Sequence, residues 1–291
     1  MKCRILALFA GLICVETFRH ASCRPVIERR DADFESVRTR LDHPHVNLDD
    51  EPPDKYFHES NFHQHYDGRF ADRPLKYDER QMHLSALIRT YLSAMNDMGA
   101  IGRETWLMHG TLLGWYWNRR IMPWDSDLDV MISQSALHFL ASFHNMTVHK
   151  FRLPGHEATR SYMLEINPHY REDGLDRDNR IDARWIDTET GLFIDITTLR
   201  RNMTATTAGD SEAMMVKDKH HYSYDDIYPL RQSRFEGVAA SIPYAYADIL
   251  MEEYGEQALS GTDHENHRFD TSRQAWLPAH VSSMSGKYDD G

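Results

Sequence analysis

The sequence predicts a mixed α/β domain, and three observations point to it. One long amphipathic helical stretch precedes a set of short apolar strand patterns. Those strands alternate with further helical patterns and turn signals, an order that belongs to a sheet flanked by helices. Aspartates stand on two of the strands, Asp127 and Asp129 at the end of one and Asp195 within the other.

Each element has its own signal. From about Asp78 to Met98, Leu84, Leu87, Ile88, Tyr91, Leu92, Met95 and Met98 recur at three- and four-residue steps, and Gly99 stops the helix. Thr105-Trp106-Leu107-Met108 reads as a short buried strand, leading through Gly110-Thr111 into a short helix over Leu112–Tyr116. Asp127–Ile132 is a strand with acids at one end, and Ser133 caps the helix that follows through about Phe143. Arg160–Ile166, Ala183–Asp187 and Leu192–Thr198 are further strands, the last two joined by the hairpin turn Thr188-Glu189-Thr190-Gly191. Residues 200–230 read as loop-rich. Tyr244–Tyr254 closes the domain as a helix ended by Gly255, and the tail after about Gly261 is polar with little periodicity.

The chain divides accordingly. Residues 1–23 have the features of a cleaved signal peptide, with an uncleaved anchor as the alternative: Lys2 and Arg4 precede a short apolar run from Ile5 to Val15. All three cysteines, Cys3, Cys14 and Cys23, lie in that segment, so cleavage would leave a chain without thiols. Two sequons, beginning at Asn145 and Asn202, fit a lumenal or secreted location, in the Golgi or endoplasmic reticulum or outside the cell. Residues 24–78 are a polar stem and an irregular arm expected to wrap onto the domain. Residues 79–260 are the domain itself, and 261–291 a polar tail. No stretch beyond the N-terminal segment is apolar enough to span a membrane.

Of the 291 residues, 41% are hydrophobic and 27% charged, a globular balance. The formal net charge of −12 repels phosphate backbones and argues against nucleic acid as a partner.

The chemistry concentrates in Pro123-Trp124-Asp125-Ser126-Asp127-Leu128-Asp129-Val130. On a strand alternate side chains share a face, so Asp125, Asp127 and Asp129 would converge and Ser126 would face away. Crowded carboxylates persist where a cation sits among them, and all-oxygen ligands suit Mg2+ or Mn2+. Asp195, within Phe193-Ile194-Asp195-Ile196, completes the candidate metal set if its strand neighbours that of Asp129. Gly110 and Thr111 offer a glycine turn and a hydroxyl at a helix N-terminus to a donor phosphate, and Arg120 offers charge. His58, His63 and His65 are read as surface or packing residues, His109 as either packing or ligand contact, and His220-His221 receives no role. Tyr228, Arg231 and Arg234 are placed on the acceptor side by position alone.

Met108-His109-Gly110-Thr111-Leu112-Leu113-Gly114 and Ile121–Val130, continued by Arg184–Asp187, Leu192–Ile196, Tyr228-Pro229-Leu230, Phe235-Glu236-Gly237 and Tyr254-Gly255, resemble the LicD/fukutin family over about residues 80–260. The arm with Tyr66-Asp67-Gly68-Arg69-Phe70 is most similar to the fungal branch related to mannosylphosphate transfer. The resemblance implies a nucleotidyltransferase fold and transfer of a phosphoryl-linked group from a GDP- or CDP-linked donor to a glycan on a glycoprotein or glycolipid. It implies Asp127 and Asp129 as the metal pair, Asp195 as the third catalytic carboxylate, and Gly110-Thr111 as the turn facing the donor. Many relatives carry an acid where this chain has Ser126. Two alternatives stand beside this reading: a metal-dependent glycosyltransferase, and a non-catalytic regulator.

Overall fold

A computed structural model describes residues 24–25, 41, 43–48, 51–153, 159–172 and 175–279. The three cysteines and the proposed signal peptide lie outside them. The elements run β1 (Arg24–Pro25), α1 (Tyr77–Asp97), β2 (Thr105–Leu107), α2 (His109–Asn118), β3 (Asp129–Ser133), α3 (Gln134–Phe143), β4 (Thr147–Arg152), β5 (Thr159–Ile166), β6 (Ala183–Asp187) and β7 (Phe193–Arg201). They continue with α4 (Met203–Thr207), β8 (Ala213–Met215), β9 (His221–Ser223), α5 (Tyr224–Ile227), β10 (Arg231–Phe235), β11 (Val238–Ile242), α6 (Tyr246–Tyr254), β12 (Asp263–His264), β13 (His267–Asp270) and β14 (Ala275–Pro278).

The main sheet has the order β1-β4-β5-β6-β7-β3-β2, with β8 on β7 and β9 on β8. β3 and β7 are parallel; the other pairs in this path are antiparallel. The mixed α/β class expected from the sequence is the one observed. α1 packs on β6 and β7, and α3 on β3 and β7. The stripe of α1 is buried as its periodicity requires, through Leu84, Leu87, Ile88, Tyr91, Leu92 and Met95. Tyr91 Oη meets Thr105 Oγ1 at 2.7 Å, which satisfies the hydroxyl inside the core. Tyr162 and Trp185 stack nearly parallel on the neighbouring strands β5 and β6.

Differences from the sequence reading have local causes. The acidic strand begins at Asp129 rather than Asp127. Pro123 donates no backbone hydrogen bond, and Asp125 N closes a turn onto Met122 O at 3.0 Å, so the chain reaches the sheet late. β4 and β9 mix polar and apolar residues without a period-2 signal, and β8 is only the three residues Ala213-Met214-Met215, too short to show one. The polar segment after Gly261 forms the small sheet β12-β13-β14, held by the aromatic contacts of Phe269, Trp276, Trp117 and Trp124.

The arm does wrap. Backbone bridges join Val46 to Ser60, Glu59 to Asp67 and Tyr66 to Leu192, and Asp67 N donates to Gly191 O at 2.7 Å. Tyr66 and Phe70 are buried, and the Arg69 guanidinium joins Asp67 to Glu165 beneath them.

One glycine positions the loop that carries the acids. A Cβ on Gly114 in α2 would stand 2.5 Å from the carbonyl oxygen of Arg120. That backbone is itself fixed, because Glu236 Oε1 accepts from Ile121 N at 3.0 Å and Glu236 N donates to Arg119 O. Gly114→Ala is expected to lower stability by about 1–3 kcal/mol through forced displacement of the loop. Urea unfolding measures it, and an unchanged midpoint would refute the tight approach.

Candidate active site

The candidate site forms where β3 and β7 run side by side. Their register pairs Asp129 with Asp195. In a parallel pair such partners sit about 4.8 Å apart and project from the same face. Asp129 is fixed by its backbone: its N donates to Thr111 Oγ1 at 2.9 Å, and its carbonyl accepts from Met108 N. The adjoining loop brings in Asp125 and Asp127, whose carboxyls stand close enough to perturb one another. The structure brings the four acids near one another, two of them on a loop rather than on the strand.

The electrostatics record the crowding. Burial, the Asp127 carboxyl and the charge of Asp129 push Asp125 up to about 8. Burial likewise lifts Asp129 to about 8; His109 opposes this, while Asp127, Asp195 and Glu253 add to it. Burial also raises Asp195; Arg184 works against the rise, and Glu59 and Asp127 reinforce it. Buried carboxyls crowded in this way cost stability unless something positive sits among them.

The remaining members sort themselves. Gly110 lines the site, and a Cβ there would come within 3.2 Å of Asp125 Oδ2, so glycine leaves room for the carboxyl. Thr111 is buried and spends its hydroxyl on Asp129 N. Arg120 is exposed and stands outside the cavity wall, so the structure does not bring it to the acids. Ser126, expected to face away, turns to the arm, where its hydroxyl meets His65 Nδ1 at 2.8 Å. The other nitrogen of His65 lies 3.6 Å from Asp127 Oδ2, so this histidine belongs to the site rather than to a plain surface.

Sequence reasoning also missed Arg184 and Glu59. Arg184 Nε donates to Asp195 Oδ1 at 2.8 Å, and its Nη2 to Glu59 Oε1 at 2.7 Å. The guanidinium lies on the Phe193 ring, 3.7 Å from its centroid. A cavity of about 570 Å³ opens beside the acids, with Asp125, Asp127 and Asp129 on one wall and Trp117, Trp124, Tyr254 and Trp276 on others. The size suits a nucleotide-linked donor or a sugar.

The raised carboxyls give a pH prediction with a definite sign. Their folded pKa values stand above the unfolded ones, so between about pH 4 and pH 8 the folded state holds more protons. Stability from this source is present at low pH and is lost as pH rises through about 8. The cation-free protein should therefore melt several degrees lower at pH 8 than at pH 5.5, and Mn2+ should restore the difference at pH 8. Differential scanning calorimetry at both values checks it; a melting point that rises with pH, with or without Mn2+, contradicts it.

Residues 102–245, which carry Gly110, the acidic loop and Asp195, match the LicD/FKTN/FKRP nucleotidyltransferase domain. "Mannosyltransferase regulator 4" of Saccharomyces cerevisiae (strain ATCC 204508 / S288c) is 28% identical over 209 residues, covering 68% of this chain and 17% of that protein. "Mannosyltransferase regulator 14" of the same yeast is 28% identical over 161 residues, covering 51% of this chain and 16% of that protein. The chain thus spans about a sixth of the length of these two relatives. Through the domain at residues 102–245, the chain belongs to the LicD/FKTN/FKRP family.

Proposed function

We propose that this chain transfers a phosphoryl-linked group, such as mannosyl phosphate, from a nucleotide-linked donor to a glycan. The observation that carries the reading is that Asp125, Asp127 and Asp129 line an aromatic-walled cavity, with Asp195 paired to Asp129 on the neighbouring strand. The relatives named as mannosyltransferase regulators point to mannose-containing glycans as the setting. Location in the secretory pathway follows from that setting; among the described residues no helix is long and apolar enough to cross a membrane.

The donor set fits a hard divalent cation, because every one of the four side chains offers carboxylate oxygen. Asp127 and Asp129, with Asp125 beside them, would hold Mg2+ or Mn2+, which would supply positive charge against the donor's phosphates. Tyr254 and the tryptophan wall orient the donor and exclude water. Asp195 has Oδ1 fixed by Arg184, so its other oxygen is left to take the proton of the acceptor hydroxyl. The new bond joins that hydroxyl oxygen to phosphorus, the phosphoanhydride bond to the nucleotide breaks, and a nucleoside monophosphate leaves.

Incubating the purified chain with cytidine- and guanosine-linked donors, with and without Mn2+, tests this. A nucleoside monophosphate and a phosphodiester product support it. A released nucleoside diphosphate identifies a glycosyltransferase instead. The names of the relatives favour one further reading, a regulator that holds donor or glycan without turnover. Donor binding without any released nucleotide across the panel would select that role.

A further inference from the structure

A second group of metal-ligating side chains lies beside the aspartates and takes no part in the chemistry above. His109, Asp218 and His220 each offer a ligand atom, and these atoms lie within 4.8 Å of one another. Two imidazoles and a carboxylate make a different donor set from four carboxylates. Imidazole nitrogen favours zinc and similar transition ions over magnesium. We infer that His109, Asp218 and His220 form a transition-metal site of the Zn2+ or Co2+ kind, separate from the all-carboxylate site.

The surroundings are those of a built site. His109 Nδ1 is 2.7 Å from Glu253 Oε1, which leaves Nε2 as the nitrogen to ligate. A carboxylate behind a histidine fixes its tautomer and its ring plane and raises its basicity, as the outer partners of zinc-bound histidines do. The rings of His109 and His220 lie with centroids 5.3 Å apart and planes tilted by 49°. Asp218 and His220 sit on the turn between β8 and β9, where Val216 N donates to His220 O and Lys219 takes a left-handed φ of 88°. Lys217 anchors that turn from inside: it is buried, donates to His169 O at 2.6 Å and pairs with Asp182 at 3.1 Å. His220, the exposed member, is hydrogen-bonded to Asp218 at 2.9 Å. It needs only a small side-chain rotation to trade that bond for a metal bond of about 2.0–2.1 Å. Three protein ligands leave a coordination position open, as in catalytic rather than structural zinc sites.

The test uses the untagged, metal-stripped full chain titrated with Co2+ under visible spectroscopy, followed by competition with Zn2+. Stoichiometric binding with ligand-field bands, displaced by Zn2+, is expected. The same bands should persist in the Asp127→Asn/Asp129→Asn variant, so this result is independent of the phosphoryl-transfer reading. His220→Gln lies at the surface and should keep its circular dichroism spectrum while losing at least tenfold in Co2+ affinity. Glu253→Gln should lose about 10–100-fold, through its hold on His109. Absence of bands in the parent chain, unchanged affinity in folded His220→Gln, or loss of the bands with the two aspartates would each overturn the assignment.

Discussion

The Asp127→Asn/Asp129→Asn double variant is expected to lose at least about a thousandfold in transfer while remaining folded, and to melt higher than the parent when no cation is present. The two effects share one cause. Asparagine keeps the shape of each side chain and removes its charge. Of the two, Asp129 bears the larger burden, being pushed up to about 8 by burial with Asp127, Asp195 and Glu253 around it. Removing two of the four carboxyls removes the cost of either ionising or protonating them in that crowd, so the cation-free fold gains stability at neutral and higher pH. The same removal takes away the oxygens proposed to hold the divalent ion, on which the charge balance of a departing phosphate depends; losing a stabiliser of transition-state charge of this kind commonly costs a factor of about 10² to 10³ on its own. A product assay with Mn2+ and a thermal melt without it measure the two halves separately. Transfer within tenfold of the parent would remove these residues from the chemistry, whatever the melt shows. A lower cation-free melting point would mean that the carboxylates stabilise the fold by contacts outside the cluster.

The fold and much of the site were legible in the sequence where the signal was local. The stripe of α1, the hairpin between β6 and β7 and the Ser133 cap were each announced by spacing or turn chemistry, and Ser133 Oγ does accept from Ala136 N at 3.1 Å. The convergence of Asp129 with Asp195 needed one long-range fact, the parallel pairing of β3 and β7, which no local pattern encodes. Arg184 was within reach. A hairpin whose turn is Thr188–Gly191 sets the register that places Arg184 opposite Asp195. His65 was out of reach, because its place beside Ser126 and Asp127 depends on how an irregular arm packs. Arg120 stands apart from the acids for the complementary reason: nearness in sequence says little about a side chain on a loop that turns at the left-handed Arg119. The aromatic wall from Trp276 was hidden in a polar segment, where one tryptophan carries no periodicity.

Arg184→Ala is expected to be the most destabilising single change among the site residues, by about 3–5 kcal/mol, because it leaves two carboxylates behind without their cation. Arg184 is buried between Asp195 on β7 and Glu59 on the arm, and its guanidinium also covers Phe57 and Phe193. Glu59 is held down to about 2: burial opposes its charge, and the charges and hydrogen bonds of Arg184 and Lys55 outweigh burial. For this depressed carboxyl the folded state binds protons more weakly than the unfolded one. Its contribution is therefore present above the unfolded value, near 4.5, and is lost as pH falls towards 2. In Arg184→Ala that acid-side loss should shrink, while Asp195, deprived of the cation that opposes its rise, should hold its proton to higher pH. The arm should also loosen, since Glu59 keeps only Lys55. Denaturant unfolding and limited proteolysis of residues 51–70 read the two consequences. Arg184→Lys restores charge without the two-pronged geometry and should recover only part of the stability. Equal stability of Arg184→Ala and the parent at pH 7 would mean that the Asp195–Arg184–Glu59 chain contributes nothing, and the arm would then be held by its other contacts, among them those of Tyr56, His65, Tyr66 and Arg69.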